Sequence, residues 1–221
     1  MNVTLKTLLL AALINVCSLT ACLDAESASS KKIKIEKEKI DTAWHDGDII
    51  FQTSRSGQSL AIQYATHSKY SHCGLLFQDN GHWYVYEAIQ PVVKTPVKEF
   101  IARGDSDYFV IKRLAKNDSI LTPAVMEKMR ASVHKRLGKN YDLWFGWSDE
   151  NVYCSELVWK AYHESTGLKV GELQPLKTYD LTHPLVQKHL KERYGKKIPY
   201  DEPMISPGSI FDSPLLVIVK N

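Results

Sequence analysis

The turn sequence Asp79-Asn80-Gly81 most constrains how this chain can fold. Asn-Gly is a strong signal for a two-residue hairpin loop, because both central positions of that turn need positive φ. The segments on either side, residues 71–77 and 82–89, are rich in the aromatic and β-branched residues that favour strands. We therefore predict an antiparallel hairpin with a defined pairing register.

That register brings two ionisable residues together. With Asn80-Gly81 as the loop, Glu87 falls opposite Gly74 and diagonal to His72, on the same face of the sheet. A loop one residue earlier would place Glu87 directly opposite His72, whereas a three-residue loop would move Glu87 to the other face. Since Asn-Gly favours the two-residue loop, we expect His72 and Glu87 to share a face.

A histidine beside a carboxylate is held in one tautomer, and its protonated form is stabilised. This favours His72 as a general base and Glu87 as the residue that orients it. Alternation along the strand places Cys73 on the opposite face, so we expect Cys73 not to share their site. A zinc site built from His72, Cys73, Glu87 and Cys154, or a disulfide between the two cysteines, is disfavoured for the same reason. No metal or other cofactor is expected.

Cys154 lies at the start of a predicted helix. Val158 and Ala161 follow it at helical spacing, so Cys154 is predicted to open a helix and to face inward. Free backbone N–H groups at a helix N-terminus favour a thiolate and can also hold an oxyanion. Taken alone, the residue is equally well interpreted as a buried structural cysteine. The predicted His72 and Glu87 pair favours the nucleophile.

The overall composition predicts one folded domain, which we place at residues 42–221. The chain has 221 residues, 44% of them hydrophobic, which is enough for an ordinary core. Its 28 basic and 25 acidic residues give a net charge of only +3. The basic residues are dispersed rather than striped, so nucleic acid is not an expected partner.

The N-terminus is typical of an exported protein. Lys6 precedes a short apolar run, and the sequence Leu19-Thr20-Ala21-Cys22 resembles the lipobox of bacterial lipoproteins. We interpret residues 1–21 as a lipoprotein signal peptide and residues 22–41 as a charged tether with a lipid on Cys22. Leu23 after the cysteine favours the outer membrane, with the domain facing the periplasm. The alternative is an ordinary signal peptide cut near Ala21 or Ala25.

The remaining patterns predict an α+β fold in which strands come first and helices later. Predicted elements are a strand at 49–51, a helix at 57–67, a short helix at 96–103, a strand at 108–114, helices at 122–138, 154–167 and 184–194, and a closing strand at 209–219.

Four segments resemble the permuted papain-like amidases of the YaeF and YiiX type, most closely the YiiX branch. They are residues 47–51, 70–74, 86–88 and 153–158. That family is related to NlpC-type cell-wall peptidases and to lecithin retinol acyltransferase. The order His72, Glu87, Cys154 is circularly permuted relative to papain. The resemblance implies a small antiparallel, barrel-like sheet packed against helices, one of which bears the catalytic cysteine at its N-terminus.

By this resemblance Cys154 is the nucleophile, His72 the base and Glu87 the orienter of a thiol peptidase or amidase that forms an acyl-enzyme. In the cell envelope, peptidoglycan peptides are the nearest amide-rich substrate. One alternative is a lipid or acyl-ester hydrolase or acyltransferase with the same triad, and another is an envelope-binding module without catalysis. The expected partners are a substrate in the envelope and the membrane, through the lipid anchor.

Other residues are candidates for shaping the substrate site. Gln52, Tyr70 and Tyr153 lie near the ends of predicted elements that flank the triad, and Gln52 in particular is able to donate to an oxyanion. The loop that leads to Cys154 carries three large aromatic residues, Trp144, Phe145 and Trp147. We expect them either to line a cleft or to fix the loop to the core.

Lipidation of Cys22 predicts that the protein incorporates labelled fatty acid in a bacterial host. Cys22→Ser should abolish the label and release the protein into the soluble periplasmic fraction. Cys17→Ser, in the same apolar segment, is the matched control and should leave the labelling intact. Labelling that survives Cys22→Ser, or a mature protein without lipid that begins after Ala21 or Ala25, would show an ordinary signal peptide.

Overall fold

The computed structural model describes residues 44–219, so the predicted signal peptide and tether lie outside the described residues. Its main sheet is antiparallel, six-stranded and ordered β4-β3-β2-β1-β5-β8. These strands are β1 (Ile49–Gln52), β2 (His72–Asp79), β3 (His82–Ala88), β4 (Val92–Pro96), β5 (Phe109–Leu114) and β8 (Leu216–Ile218). Two short strands, β6 (Gln174–Pro175) and β7 (Pro203–Met204), form a separate pair.

The helices lie between the strands along the chain, and most of them come in its second half, as expected for an α+β fold. They are α1 (Gly57–Thr66), α2 (Val97–Ala102), α3 (Asn117–Ile120), α4 (Pro123–His134), α5 (Cys154–Thr166), α6 (Pro184–Tyr194) and α7 (Pro207–Phe211). Within the described residues, no helix is both long and apolar enough to span a membrane.

The hairpin prediction is confirmed. Asp79 pairs with His82 and Leu75 with Tyr86, which is the register of a two-residue loop. Asn80 and Gly81 both have positive φ, at 50° and 77°, as the tight turn requires. The strands therefore leave the turn with His72 and Glu87 on one face.

Helix α5 is fixed by hydrogen bonds at several points along its length. Tyr162 donates its hydroxyl to the carbonyl of Gly47, at 2.6 Å, just before β1. Ser155 donates to the carbonyl of Ile205 at 2.8 Å, next to Cys154. These buried bonds hold the start of α5 at a constant position relative to the sheet.

The predicted closing strand is partly wrong. Residues Pro207–Phe211 form α7, and only Leu216–Ile218 form a strand. The helix begins there because Ser206 accepts a hydrogen bond from the backbone N–H of Ser209 and Pro207 occupies the first turn. Strand β4 was not predicted, because its five residues include one lysine and one proline and only two adjacent valines as an apolar stretch.

Gly74 is required by the close approach of β2 and β3. A Cβ atom at this position would lie 2.5 Å from Val85 Cγ1 and 2.8 Å from the carbonyl oxygen of Tyr86. Gly74→Ala should therefore lower the free energy of unfolding by about 2–3 kcal/mol, measured by urea denaturation. Gly138→Ala is the control, because its positive φ of 80° adds strain but nothing lies within 4 Å. Equal losses in the two variants would contradict the close packing at Gly74.

Candidate active site

The His72 and Glu87 side chains form a hydrogen bond across the hairpin. Nε2 of His72 lies 2.6 Å from Oε2 of Glu87. The Glu87 side chain is fully buried, while that of His72 retains 14% exposure. On its other side, the imidazole stacks against Phe100 of α2 at a centroid distance of 5.6 Å. The ring is therefore held in one orientation, and Nδ1 is the ring nitrogen that Glu87 does not engage.

Glu87 has two further partners that help it remain ionised. Burial alone raises the pKa of this carboxyl, but hydrogen bonds from His72, Thr95 and Arg103 bring it below the usual value. Arg103 also forms an ion pair with Glu87 Oε1. The carboxylate is therefore buried with compensating partners, as a buried charge requires.

Cys154 is the first residue of α5 and is only 3% exposed. The pKa of its thiol is well below the ordinary value. The largest cause is a hydrogen bond with Cys73, burial acts in the opposite direction, and the hydrogen bond and charge of His72 lower the pKa further. Its position at the helix N-terminus favours the thiolate in the same direction.

The pKa of His72 changes in the complementary direction. Burial lowers it, but hydrogen bonds and charge interactions with Cys154 and Glu87 outweigh burial and raise it to about 10. A raised histidine pKa beside a lowered cysteine pKa stabilises a thiolate and imidazolium pair over the intervening pH range. This is the ionisation state in which a cysteine is nucleophilic.

Residues 43–220 match the family described as permuted papain-like amidase enzyme, YaeF/YiiX, C92 family. The chain belongs to the permuted papain-like amidases.

Two relatives from Escherichia coli support this membership. Uncharacterized protein YiiX of strain K12 is 49% identical over 179 residues, which cover 80% of this chain and 87% of the relative. A solved structure, described as the crystal structure of metalloprotein YiiX from strain O157:H7, superposes with a TM-score of 0.76 at 49% identity. That match covers 80% of this chain and 97% of the other. The permuted papain-like fold is thus shown.

The word metalloprotein in that description applies to the related protein. A metal site needs at least three ligand side chains that converge. Within residues 44–219 of this chain, no such group of His, Cys, Asp or Glu side chains is found. The polar groups around Cys154 fit a thiolate and imidazolium pair.

The prediction that Cys73 stays apart from the site is wrong. Cys73 hydrogen-bonds to Cys154 through both its side chain and its backbone. Alternation does separate Cys73 from His72, and Cys73 shares an apolar cluster with Val158 of α5. However, His72 is the first residue of β2, and the thiol at the start of α5 interacts with both His72 and Cys73. The two cysteines are free thiols, not a disulfide.

Of the three predicted substrate-site residues, Gln52 lies nearest to His72. It pairs directly opposite His72 in the β1–β2 register and lines the same groove. Its side chain is buried, and Oε1 has no hydrogen-bond partner among the described residues. The unpartnered oxygen is an acceptor, so the candidate role of Gln52 toward a substrate carbonyl depends on its Nε2 amide group, which is able to donate.

Tyr153 and Tyr70 are placed differently. The Tyr153 hydroxyl accepts a hydrogen bond from the backbone N–H of Ile205 at 3.1 Å, so its ring forms a wall beside Cys154. The Tyr70 ring stacks on Phe211 at 4.1 Å within the core. In the described part of the chain, Tyr70 lines neither the Cys154 cleft nor the His72 groove.

The aromatic loop before α5 has both predicted roles. Phe145 packs edge-on against Tyr153 at 5.2 Å and lines the cleft at Cys154. Trp147 packs against Trp159 at 5.3 Å and fixes the loop to α5. Trp144 is 56% exposed and lines the groove at His72.

Tyr141 and Arg103 were missed by the sequence analysis. Tyr141 hydrogen-bonds to Cys154 and lines both the cleft and the groove. Arg103 follows α2 and reaches Glu87 from another part of the chain. Neither residue belongs to a motif, and only the tertiary packing of their loops brings them to the site.

Removing the charge of Glu87 should weaken the ionisation of Cys154. In Glu87→Gln the pKa of His72 falls, so less imidazolium is available to stabilise the thiolate and the pKa of Cys154 rises. The alkylation rate of Cys154 by iodoacetamide at about pH 6 should then fall by roughly tenfold or more, since one pKa unit is a tenfold change. Peptide mass spectrometry across a pH series measures this rate.

Asp79→Asn is the matched control, because it removes a carboxylate from the far end of the same hairpin, where Asp79 pairs with Lys94 and Arg130. This control should retain the wild-type pH profile. If Glu87→Gln also retained that profile, Glu87 would have no part in activating the thiol.

Proposed function

We propose that this protein is a cysteine amidase in which Cys154 attacks the substrate carbonyl, His72 transfers the proton and Glu87 orients His72. The observation that carries the proposal is one chain of contacts. The Cys154 thiol hydrogen-bonds to the His72 ring, and His72 Nε2 lies 2.6 Å from the buried Glu87 carboxylate. This order of contacts supports the proposed roles of nucleophile, base and orienter.

The reaction follows from these contacts. The Cys154 thiolate adds to the amide carbonyl, and the C–N bond breaks as the His72 imidazolium gives its proton to the departing amine. A thioester remains on Cys154. Neutral His72 then takes a proton from water, whose oxygen attacks the thioester, and the carboxylic acid leaves as the thiol is restored.

The negative oxygen that forms on the carbonyl needs donors. The first backbone N–H groups of α5 have no partner within the helix and lie beside the Cys154 sulfur. Gln52 lies opposite His72 and is buried in the adjoining groove, so its amide is a second candidate donor.

The location proposed for this enzyme is the periplasmic face of the outer membrane. The lipobox-like sequence that ends at Cys22 supports it. An anchored domain at that position has access to peptidoglycan stem peptides and to acyl groups carried by lipids. Both contain carbonyls that a thiol nucleophile is able to attack.

Cys154→Ser tests the proposed nucleophile. When the wild-type protein is mixed with an envelope extract and quenched in acid, the peptide that contains Cys154 should carry an acyl group that hydroxylamine removes. The Cys154→Ser protein should show no thioester and no turnover, with a thermal midpoint close to that of the wild type.

Adduct formation on another residue, or equal turnover by Cys154→Ser, would contradict the proposal. Tight retention on cell-wall sacculi with no covalent intermediate, even after long incubation, would instead favour a binding module.

A further inference from the structure

The groove at His72 is a binding space with a largely polar lining. Its volume is about 760 Å³, which is within the range of pockets that hold small molecules. His72 lines this groove and also hydrogen-bonds to Cys154, so the groove begins at the proton donor of the proposed reaction. A leaving group that takes its proton from His72 therefore departs into this groove.

Charge is distributed unevenly over the groove. Among the described residues, those that line it include one arginine, Arg103, and no aspartate or glutamate. Most of the other polar side chains in the lining carry neutral amide or hydroxyl groups. Glu87 is fully buried, and its two oxygens face His72 and Arg103. The groove surface therefore exposes a cation, while the carboxylate that balances this cation is buried.

The Arg103 guanidinium is fixed by two neighbours. Nη2 is paired with Glu87 Oε1, and the guanidinium lies over the Phe100 ring at 5.8 Å. The same ring stacks against His72, so Phe100 positions both groups. A guanidinium carries several N–H donors, and the bond to Glu87 engages only one of its amino groups. Since the side chain is 41% exposed, its other donors are available to an anion in the groove.

A neutral amide donor lies in the same lining. Gln90 donates its side-chain amide to Oδ1 of Asn140 at 3.0 Å, and Gln90 Oε1 accepts the backbone N–H of Tyr141 at 2.6 Å. These bonds engage the acceptor oxygens of both side chains, so Nδ2 of Asn140 is left as a donor. Ionised carboxylate groups accept hydrogen bonds and donate none. Arg103 and Asn140 therefore both suit an anionic ligand.

We propose that the groove at His72 is a leaving-group subsite that recognises an amine bearing a carboxylate or phosphate group, with Arg103 as the residue that binds this anion. The reaction is then the cleavage of an amide whose amine half is acidic, such as one that releases an amino acid. This inference rests on the proposed roles of Cys154 and His72. Only the carboxylate of Glu87 separates Arg103 from His72, so an anion attached close to the departing nitrogen is within reach of the guanidinium.

Transfer of an acyl group to added amines tests this subsite in the reverse direction. The full chain is acylated with p-nitrophenyl acetate, so that a thioester forms on Cys154 and p-nitrophenolate leaves. An added amine then attacks the thioester carbonyl, His72 takes the proton from its nitrogen, and the C–S bond breaks to restore the Cys154 thiolate. The ratio of N-acetylated amine to acetate, measured by mass spectrometry, reports how well each amine occupies the groove.

Glycine and glycinamide differ at one group, which is a carboxylate in the first and an amide in the second. Each ratio is divided by the rate at which the same free amine attacks a small thioester in solution, which removes differences in intrinsic reactivity. The corrected ratio should be about tenfold higher for glycine, as expected of a charge-assisted hydrogen bond. Phosphoethanolamine compared with ethanolamine measures the same preference for phosphate and shows which anion the groove takes.

Arg103→Gln should bring the glycine and glycinamide ratios close to each other. The substitution also removes a partner of Glu87, so acylation slows, but a comparison of two amines on the same acyl-enzyme cancels that loss. Arg55→Gln is the matched control, because Arg55 is 72% exposed, pairs with Asp105 and is not among the described residues that line the groove. This control should keep the wild-type preference.

The outcomes separate the two proposals, and the wild-type comparison decides even where Arg103→Gln fails to fold. Equal corrected ratios for the charged and neutral amines in the wild type, or an undiminished preference in Arg103→Gln, would overturn the anion subsite while leaving the nucleophile in place. No release of p-nitrophenolate and no acetyl group on Cys154 would overturn the proposed function itself.

Discussion

The hydrogen bond between His72 and Glu87 is the interaction on which the site depends, and the β2–β3 hairpin provides it. The hydrogen bond, 2.6 Å long, forms because Asn80-Gly81 makes a two-residue turn that fixes the register of the two strands. A slip of one residue would move Glu87 to the other face of the sheet. The chemistry at one end of the hairpin is therefore determined by the turn at the other end.

The site also resolves an electrostatic problem. A fully buried carboxylate is costly unless it is paired, and Glu87 is paired with Arg103 on one oxygen and with His72 on the other. The alternation of charge continues through His72 to Cys154, so positive and negative groups alternate from Arg103 to the thiolate. Burial disfavours each charge taken separately. Because each charged group has a neighbour of opposite sign, the attraction between neighbours offsets the cost of burying them.

The sequence was sufficient where local rules decide the structure. The Asn-Gly turn predicted the register, and the helical spacing after Cys154 predicted a helix that begins at that residue. Those local rules do not predict contacts between distant parts of the chain. Cys73 was excluded by strand alternation, which is correct within the sheet but does not predict which residues a helix from later in the chain contacts. Arg103 and Tyr141 come from loops whose packing no local pattern specifies.

The central claim is that Cys154 is a thiolate stabilised by His72. Thiolates absorb ultraviolet light more strongly than thiols, so the absorbance difference between the wild type and Cys154→Ser, followed across a pH series, titrates this one group. The structure predicts that the difference persists at pH values well below the ordinary thiol pKa, and that His72→Ala shifts it upward. A difference that appears only at or above the ordinary thiol pKa in the wild type would contradict the account.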